Sequence, residues 1–287
     1  MPLSLSEGFK TFRANLEITE LQAPVVATRQ QRVRDVVEAN FTVLDSFLTG
    51  SYRRNTMIAP LALADVDVFI VLDPQYYRAH TPRTLLEAVR TQLRTTYPTT
   101  PRISKNGQAV TITFTDFRVD VVPGFYRTGG GYLIPDQNSG RWIETDPTRH
   151  VELWSAANGA HEGDLVPLMK MLKAWNRAHS EFLRSFHLEA LTLTVLNNVT
   201  ISDFPSGIRF VFGQARTAFA QPLVDPAGYG GNLCDYIDMI TGAEIANRLR
   251  IAHDWAVAAE AAISNNRIDL AFERYGQIFG DYFPAYR

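Results

Sequence analysis

Two different spacings of apolar residues divide the chain. Between residues 3 and 41 apolar residues recur at helical spacing, as in Phe9, Phe12 and Leu16, which predicts two N-terminal helices. Short β-branched runs then predict the strands of one sheet. These runs span residues 41–48, 66–72, 109–114 and 117–122, with a helical segment at 82–93 and two short extended pieces near residues 132–134 and 141–143. The first run could instead extend the helix before it.

After Thr148 the strand pattern fades and helical spacing continues to the C-terminus. The predicted helices span residues 148–158, 164–180, 187–198, 206–221, 242–263 and 266–279. We therefore expect an α+β protein with two lobes. Residues 1–147 form a lobe with a mixed sheet and the N-terminal helices, and residues 148–287 form a helical lobe.

Composition narrows the class of protein. A chain of 287 residues, 46% hydrophobic, has enough apolar material for a core. The 28 Lys+Arg against 30 Asp+Glu give a net charge of -2, which argues against long nucleic acid as a partner, because such proteins usually carry a basic excess. The single cysteine, Cys234, excludes an internal disulfide and a Cys-rich zinc site. With no signal peptide and no apolar run of about 18 residues, we expect a cytoplasmic protein that does not enter membranes.

Two carboxylates on one strand are the first candidate for chemistry. Asp65 and Asp67 are two residues apart in an apolar strand, so both side chains project from the same face. At a separation of about 4 Å and an effective dielectric of about 20, two such charges repel by roughly 4 kcal/mol. They must therefore be exposed, protonated or neutralised by a cation. Oxygen-only ligation favours Mg²⁺ or Mn²⁺.

A third acid and a glycine-serine turn extend this pattern. Asp120 lies among valines at the centre of a later strand, and three carboxylates on neighbouring strands can hold two metals for phosphoryl transfer. Gly50 and Ser51 open a short helical stretch, where backbone N–H groups and a hydroxyl can meet a triphosphate. Taken singly, each feature is more often a solvated strand edge or an ordinary turn. Their occurrence in this order favours a nucleotide-transferring site.

This set of residues resembles the active-site pattern of the polymerase-β-like nucleotidyltransferase superfamily. Four later segments are similar to the bacterial cGAS/DncV-like nucleotidyltransferases, and the resemblance extends over residues 40–287. These segments span residues 132–147, 168–176, 185–189 and 278–286. The resemblance implies a polymerase-β-like lobe packed on the helical lobe, with the active site in a cleft between them.

The resemblance also implies roles for individual residues. Asp65, Asp67 and Asp120 would bind Mg²⁺, or else Mn²⁺, and act as the catalytic residues, while Gly50, Ser51, Lys173 and Ser185 would bind the substrate. A lysine on a helix that faces a cleft is also suited to phosphate on general grounds, and the alternative for Lys173 is a snorkelling surface lysine. The implied reaction joins ATP and/or GTP into a cyclic di- or trinucleotide second messenger. We expect a monomer that reaches a downstream antiphage effector through this product.

Two alternatives use the same residues. A nucleotidyltransferase that modifies RNA or protein would need the same three acids, although the charge of -2 argues against tRNA. A non-catalytic regulator would keep the fold and bind nucleotide. Three tyrosines, Tyr229, Tyr282 and Tyr286, are candidates to stack on a base. We interpret His187 and Glu189 as structural.

Overall fold

The computed structural model describes residues 4–18, 23–100 and 102–286. The chain divides into a sheet unit, Ile18–Leu153, and a helical unit that combines Met1–Glu17 with Trp154–Arg287. Among the described residues, no helix has the length and apolar character needed to cross a membrane.

The sheet unit contains seven strands and several helices. Its strands are β1 (Val43–Leu48), β2 (Asp65–Leu72), β3 (Arg102–Asn106), β4 (Ala109–Thr113), β5 (Arg118–Tyr126), β6 (Tyr132–Pro135) and β7 (Trp142–Thr145). The helices among them are α2 (Ala23–Glu38), α3 (Gly50–Arg53), α4 (Pro74–Ala79) and α5 (Pro82–Thr96), with a 3₁₀ turn at Leu61–Leu63. The run at residues 41–48, which the sequence left between helix and strand, is therefore strand β1.

The sheet is mixed, with strand order β1-β2-β5-β4-β3, and β6 joins β5 to β7. Strands β2 and β5 run parallel, whereas β1 with β2 and β4 with β5 are antiparallel. Alternate residues of β2, such as Val66, Val68 and Ile70, are buried in the main core together with apolar residues of α2 and α5. Because side chains alternate along a strand, burial of these residues directs Asp65 and Asp67 to the other face.

The helical unit consists of α1 (Leu5–Leu16), the second half of α6 (Pro147–Ala160), α7 (Leu165–Ala178), α8 (Ser185–Val195), α9 (Phe204–Ala218), α10 (Met239–Ser264) and α11 (Ile268–Phe279). Each predicted C-terminal helix corresponds to one of these elements, with boundary differences of a few residues. Helix α7 is almost entirely buried, from Leu165 to Asn176.

Helix α1 lies in a different unit from the one that the sequence predicted. The sequence placed residues 1–147 together, but the ring of Phe9 lies 4.9 Å from Tyr275 and that of Phe12 lies 4.6 Å from Phe279. Both phenylalanines are buried. Aromatic side chains bury large areas and favour edge and tilted contacts. The apolar face of α1 is therefore buried against the aromatic residues of the C-terminal helix, Ile268–Phe279. The sheet unit begins only after Glu17.

The sequence pattern missed two elements of the sheet unit. Strand β3 has the polar sequence Arg102-Ile-Ser-Lys-Asn106, and its pairing with β4 rather than its composition makes it a strand. Helix α4 is only six residues long and begins with Asp73 as its N-cap and proline at the next position. Elements this short lack a full period of apolar residues, which is the signal that sequence patterns supply.

Candidate active site

The three predicted acids lie on the two parallel strands at the centre of the sheet. In the register of β2 and β5, Asp67 lies opposite Asp120 and Asp65 lies opposite Arg118. Directly opposite residues project to the same side of a sheet. The structure therefore brings Asp65, Asp67 and Asp120 to one face, as the sequence predicted.

Gly50 approaches this face closely. The N–H of Thr49 donates to the carbonyl of Asp67 at 2.9 Å, which ties the turn after β1 to β2. Gly50 has φ +61°, and a Cβ atom built there would lie 1.8 Å from Asp67 Oδ2. Ser51 follows in α3, and its carbonyl accepts from the N–H groups of Thr56 and Met57. Only glycine fits at position 50 while the Asp67 carboxylate keeps its place.

An ion pair within this face engages Asp65. Arg118 Nε lies 2.5 Å from Asp65 Oδ1, and Arg118 Nη2 donates to Asp65 Oδ2 at 3.2 Å. The two side chains are 45% and 44% exposed, respectively. The sequence pattern did not indicate this pair, because it depends on the register between strands 53 residues apart.

Asp120 is strongly desolvated. Burial raises the pKa of Asp120 above its ordinary value, and the negative charge of Asp65 raises it further. The Thr111 hydroxyl and the Arg118 guanidinium oppose this rise in the pKa. Asp120 Oδ1 is nevertheless buried without completing a hydrogen bond to any described residue, and so is Thr111 Oγ1, which belongs to the residue opposite it on β4.

The acids do not form a compact cluster. Within residues 4–18, 23–100 and 102–286, no three His, Cys, Asp or Glu side chains are arranged as a metal site. The donor set still fits a hard divalent cation, since it offers only carboxylate oxygens and two of them, Asp65 Oδ1 and Asp120 Oδ1, are buried without a hydrogen-bond partner among the described residues.

Beyond the acids, the same face of the sheet carries aromatic rings. Phe69 follows Asp67 by two residues, and its ring stacks on Phe47 at 5.1 Å and meets the edge of Tyr132 at 4.9 Å. A Cβ at Gly124 would lie 2.6 Å from the Phe69 ring, so glycine on β5 makes room for it. Alternation along β2 was the sequence signal that could have identified Phe69 as a continuation of the acid face.

The remaining predicted site residues lie in the helical unit. Lys173 on α7 is 6% exposed, and its Nζ lies 2.9 Å from Oε1 of the fully buried Glu189 on α8. It is therefore not a snorkelling surface lysine. Ser185 is exposed at the first position of α8. One turn before Lys173, Lys170 pairs with Glu17 at 2.7 Å.

A buried network surrounds the first turn of α8. The Arg184 N–H donates to the Tyr236 hydroxyl at 3.1 Å, and that hydroxyl lies 2.9 Å from His187 Nδ1. The hydroxyl accepts the Arg184 N–H and still has its own proton, which it can donate to Nδ1 of a neutral imidazole. Burial lowers the pKa of His187 to about 4. His187 is thus neutral and structural, and Cys234 is a buried thiol hydrogen-bonded to the carbonyls of Phe219 and Gln221.

Comparison with known proteins identifies the family of the chain. Residues 3–158, more than half of the chain, match the family described as the Second Messenger Oligonucleotide or Dinucleotide Synthetase domain. A cyclic AMP-AMP-AMP synthase from Acinetobacter sp. is 27% identical over 253 residues, which cover 83% of this chain and 72% of that protein.

Solved structures show the same fold. The Escherichia coli MS115-1 protein CdnC with ATP has a TM-score of 0.76 at 19% identity, covering 97% of this chain and 98% of that one. Vibrio cholerae DncV cyclic AMP-GMP synthase with a linear intermediate has a TM-score of 0.68 at 16% identity, covering 84% and 69%. The predicted α+β fold with a mixed sheet and a helical C-terminal region is confirmed. The chain belongs to the Second Messenger Oligonucleotide or Dinucleotide Synthetase family of bacterial cGAS/DncV-like nucleotidyltransferases.

Proposed function

We propose that this protein joins and cyclises purine nucleoside triphosphates into a cyclic di- or trinucleotide that activates an effector in antiphage defence. The observation that carries the proposal is the pairing of Asp67 with Asp120 on parallel strands, with Asp65 on the same face and Gly50 packed against Asp67. The Acinetobacter relative is a cyclic AMP-AMP-AMP synthase, which supports ATP as a substrate and cyclisation as the outcome. CdnC has been solved with ATP and DncV with a linear dinucleotide intermediate.

The three acids are the proposed ligands of Mg²⁺, with Mn²⁺ as a possible substitute. When bound, the metal lowers the pKa of the attacking hydroxyl and stabilises the charge that develops on the leaving oxygen. The unsatisfied Asp120 Oδ1 and the raised pKa of Asp120 fit a carboxylate that gains from a cation. Strands β2 and β5 fix the backbone spacing of these ligands, so the rearrangement needed when the cation binds is confined to side chains.

The protein's own groups would bind and orient the triphosphate. Gly50 and Ser51 begin a turn whose N–H groups and hydroxyl suit anionic oxygens. We assign Lys173 and Ser185 to the donor phosphates. Because Glu189 already neutralises Lys173, this lysine would supply directed hydrogen bonds rather than a large net charge.

The proposal is tested with all four α-³²P-labelled nucleoside triphosphates, Mg²⁺ or Mn²⁺, and phosphatase treatment of the product. We expect a phosphatase-resistant small product from wild type and none from Asp67→Asn or Asp120→Asn. Asp35→Asn, an exposed acid on α2, is the control and should keep full synthesis.

Three outcomes would contradict the proposal. Label in RNA or protein without a small product would favour the macromolecular nucleotidyltransferase. Synthesis that persists in both Asn variants would place the chemistry elsewhere. Folded wild type that is inactive with both metals would favour a binding protein, and size-exclusion chromatography of the same sample tests the expected monomer.

A further inference from the structure

Arg118 lies where a metal would be expected to contact Asp65. It is the residue opposite Asp65 in the β2–β5 register, and it lies two residues before Asp120 on the same face. Its guanidinium lies side-on against both oxygens of Asp65. Nη2 donates to Oδ2 at 3.2 Å, whereas Nε lies 2.5 Å from Oδ1 without completing a hydrogen bond, since Oδ1 has no hydrogen-bond partner among the described residues. This side-on arrangement, the Arg118 fork, covers the oxygens that a cation would need.

The charges around Asp65 explain why an arginine suits this position. With Asp67 and Asp120 on the same face, a third carboxylate raises the electrostatic cost of the metal-free protein. A guanidinium that is 45% exposed on a strand can neutralise Asp65 and still swing toward solvent when a second cation arrives. The Arg118–Asp65 ion pair is therefore formed in the metal-free protein, and a metal ion can still displace the guanidinium.

We propose that Arg118 is an internal counter-ion that competes with the divalent metal for Asp65, and so sets the metal affinity of the site. This inference rests on the proposed metal-binding role of the three acids. Arg118 Nε lies 2.5 Å from Asp65 Oδ1, so a cation that binds this oxygen has to displace Nε and open the fork. Arg118 is then a positioning residue, which acts on the reaction only through Asp65.

The experiment measures binding of Mn²⁺ alone, without nucleotide, from the electron paramagnetic resonance signal of the unbound ion. An exposed pair worth about 0.2–1 kcal/mol corresponds to a competitor that weakens metal binding roughly two- to sixfold. Arg118→Gln should therefore tighten the Kd for Mn²⁺ by at least about twofold. Arg118→Lys keeps the positive charge but not the fork, so its Kd for Mn²⁺ should lie between those of wild type and Arg118→Gln.

Arg127→Gln is the matched control, because Arg127 pairs with Glu144 at 2.8 Å in the same unit with similar exposure. It should leave the Kd for Mn²⁺ unchanged. Melting temperature supplies a second measurement. Metal-free Arg118→Gln should melt below wild type, and saturating Mn²⁺ should raise its melting temperature more than that of wild type, because a tighter ligand stabilises more.

The outcomes separate this inference from the proposed function. Equal Kd values for wild type and Arg118→Gln, or weaker binding by the variant, would overturn the competition while leaving the metal site in place. Mn²⁺ binding by neither protein would overturn both proposals. If Arg118→Gln does not fold, Arg118→Lys decides the question, since a Kd equal to that of wild type would rule out a role for the fork.

Discussion

Gly50→Ala tests whether the turn after β1 fixes the position of Asp67. Two separate effects should follow from one added methyl group. The first is backbone strain, because Gly50 has φ +61° and an L-residue in this region costs about 1–2 kcal/mol. The second is steric, because the new Cβ would lie 1.8 Å from Asp67 Oδ2.

The steric effect determines the expected loss of activity. Ordinary contact begins near 3.4 Å, so the carboxylate or the turn has to move by about 1.6 Å to relieve an approach of 1.8 Å. A misplacement of about 1 Å in a reacting constellation can cost about 100-fold in rate. We therefore expect Gly50→Ala to reduce product formation at least about 100-fold, with a loss of about 1–2 kcal/mol in unfolding free energy.

Gly107→Ala separates the two effects. Gly107 has φ +58° in the turn between β3 and β4, and a Cβ there would meet nothing within 4 Å. Gly107→Ala should therefore lose the same unfolding free energy, measured by urea unfolding, but keep the wild-type rate of product formation. If both variants lose activity equally, or if Gly50→Ala keeps it, the close approach of Gly50 to Asp67 does not control the site.

Two further predictions concern the helical unit. Because burial lowers the pKa of His187 to about 4 from an ordinary 6.5, the unfolded chain takes up this proton first, and stability should fall by up to about 3 kcal/mol as the pH drops from 6.5 to 4. Urea unfolding measured across this pH range tests the prediction. It would be contradicted if the unfolding free energy of His187→Asn depended on pH as steeply as that of wild type. Lys173→Met should destabilise the protein by about 3–5 kcal/mol, because Glu189 stays buried without its cation, and adding Glu189→Leu should restore most of this loss. ATP affinity should not return in the double variant if Lys173 contacts phosphate, and equal recovery of stability and affinity would argue against that contact.

The local parts of the site were predictable from the sequence, and the long-range parts were not. Alternation along β2 is a local property, so it indicated the shared face of Asp65 and Asp67, whereas the position of Asp120 opposite Asp67 depends on the register of β2 and β5. The Arg118 fork depends on how two strands 53 residues apart align, and no periodicity within either strand encodes that register. The contact of Phe9 with Tyr275, which assigns α1 to the helical unit, also joins residues far apart in the chain, so no local pattern indicated it.

Pairing of charges changes the electrostatic interpretation of the sequence. The sequence suggested acids arranged for metal and Lys173 set against phosphate. In the structure, Lys173 is matched by Glu189 and Asp65 by Arg118, so neither pair adds net charge. If the triphosphate binds at the acid face, as we propose, it approaches the carboxylates of Asp67 and Asp120, and like charges at close range repel strongly where water is excluded. The expected substrate is therefore the metal–nucleotide complex, whose cation compensates the acids while the triphosphate enters.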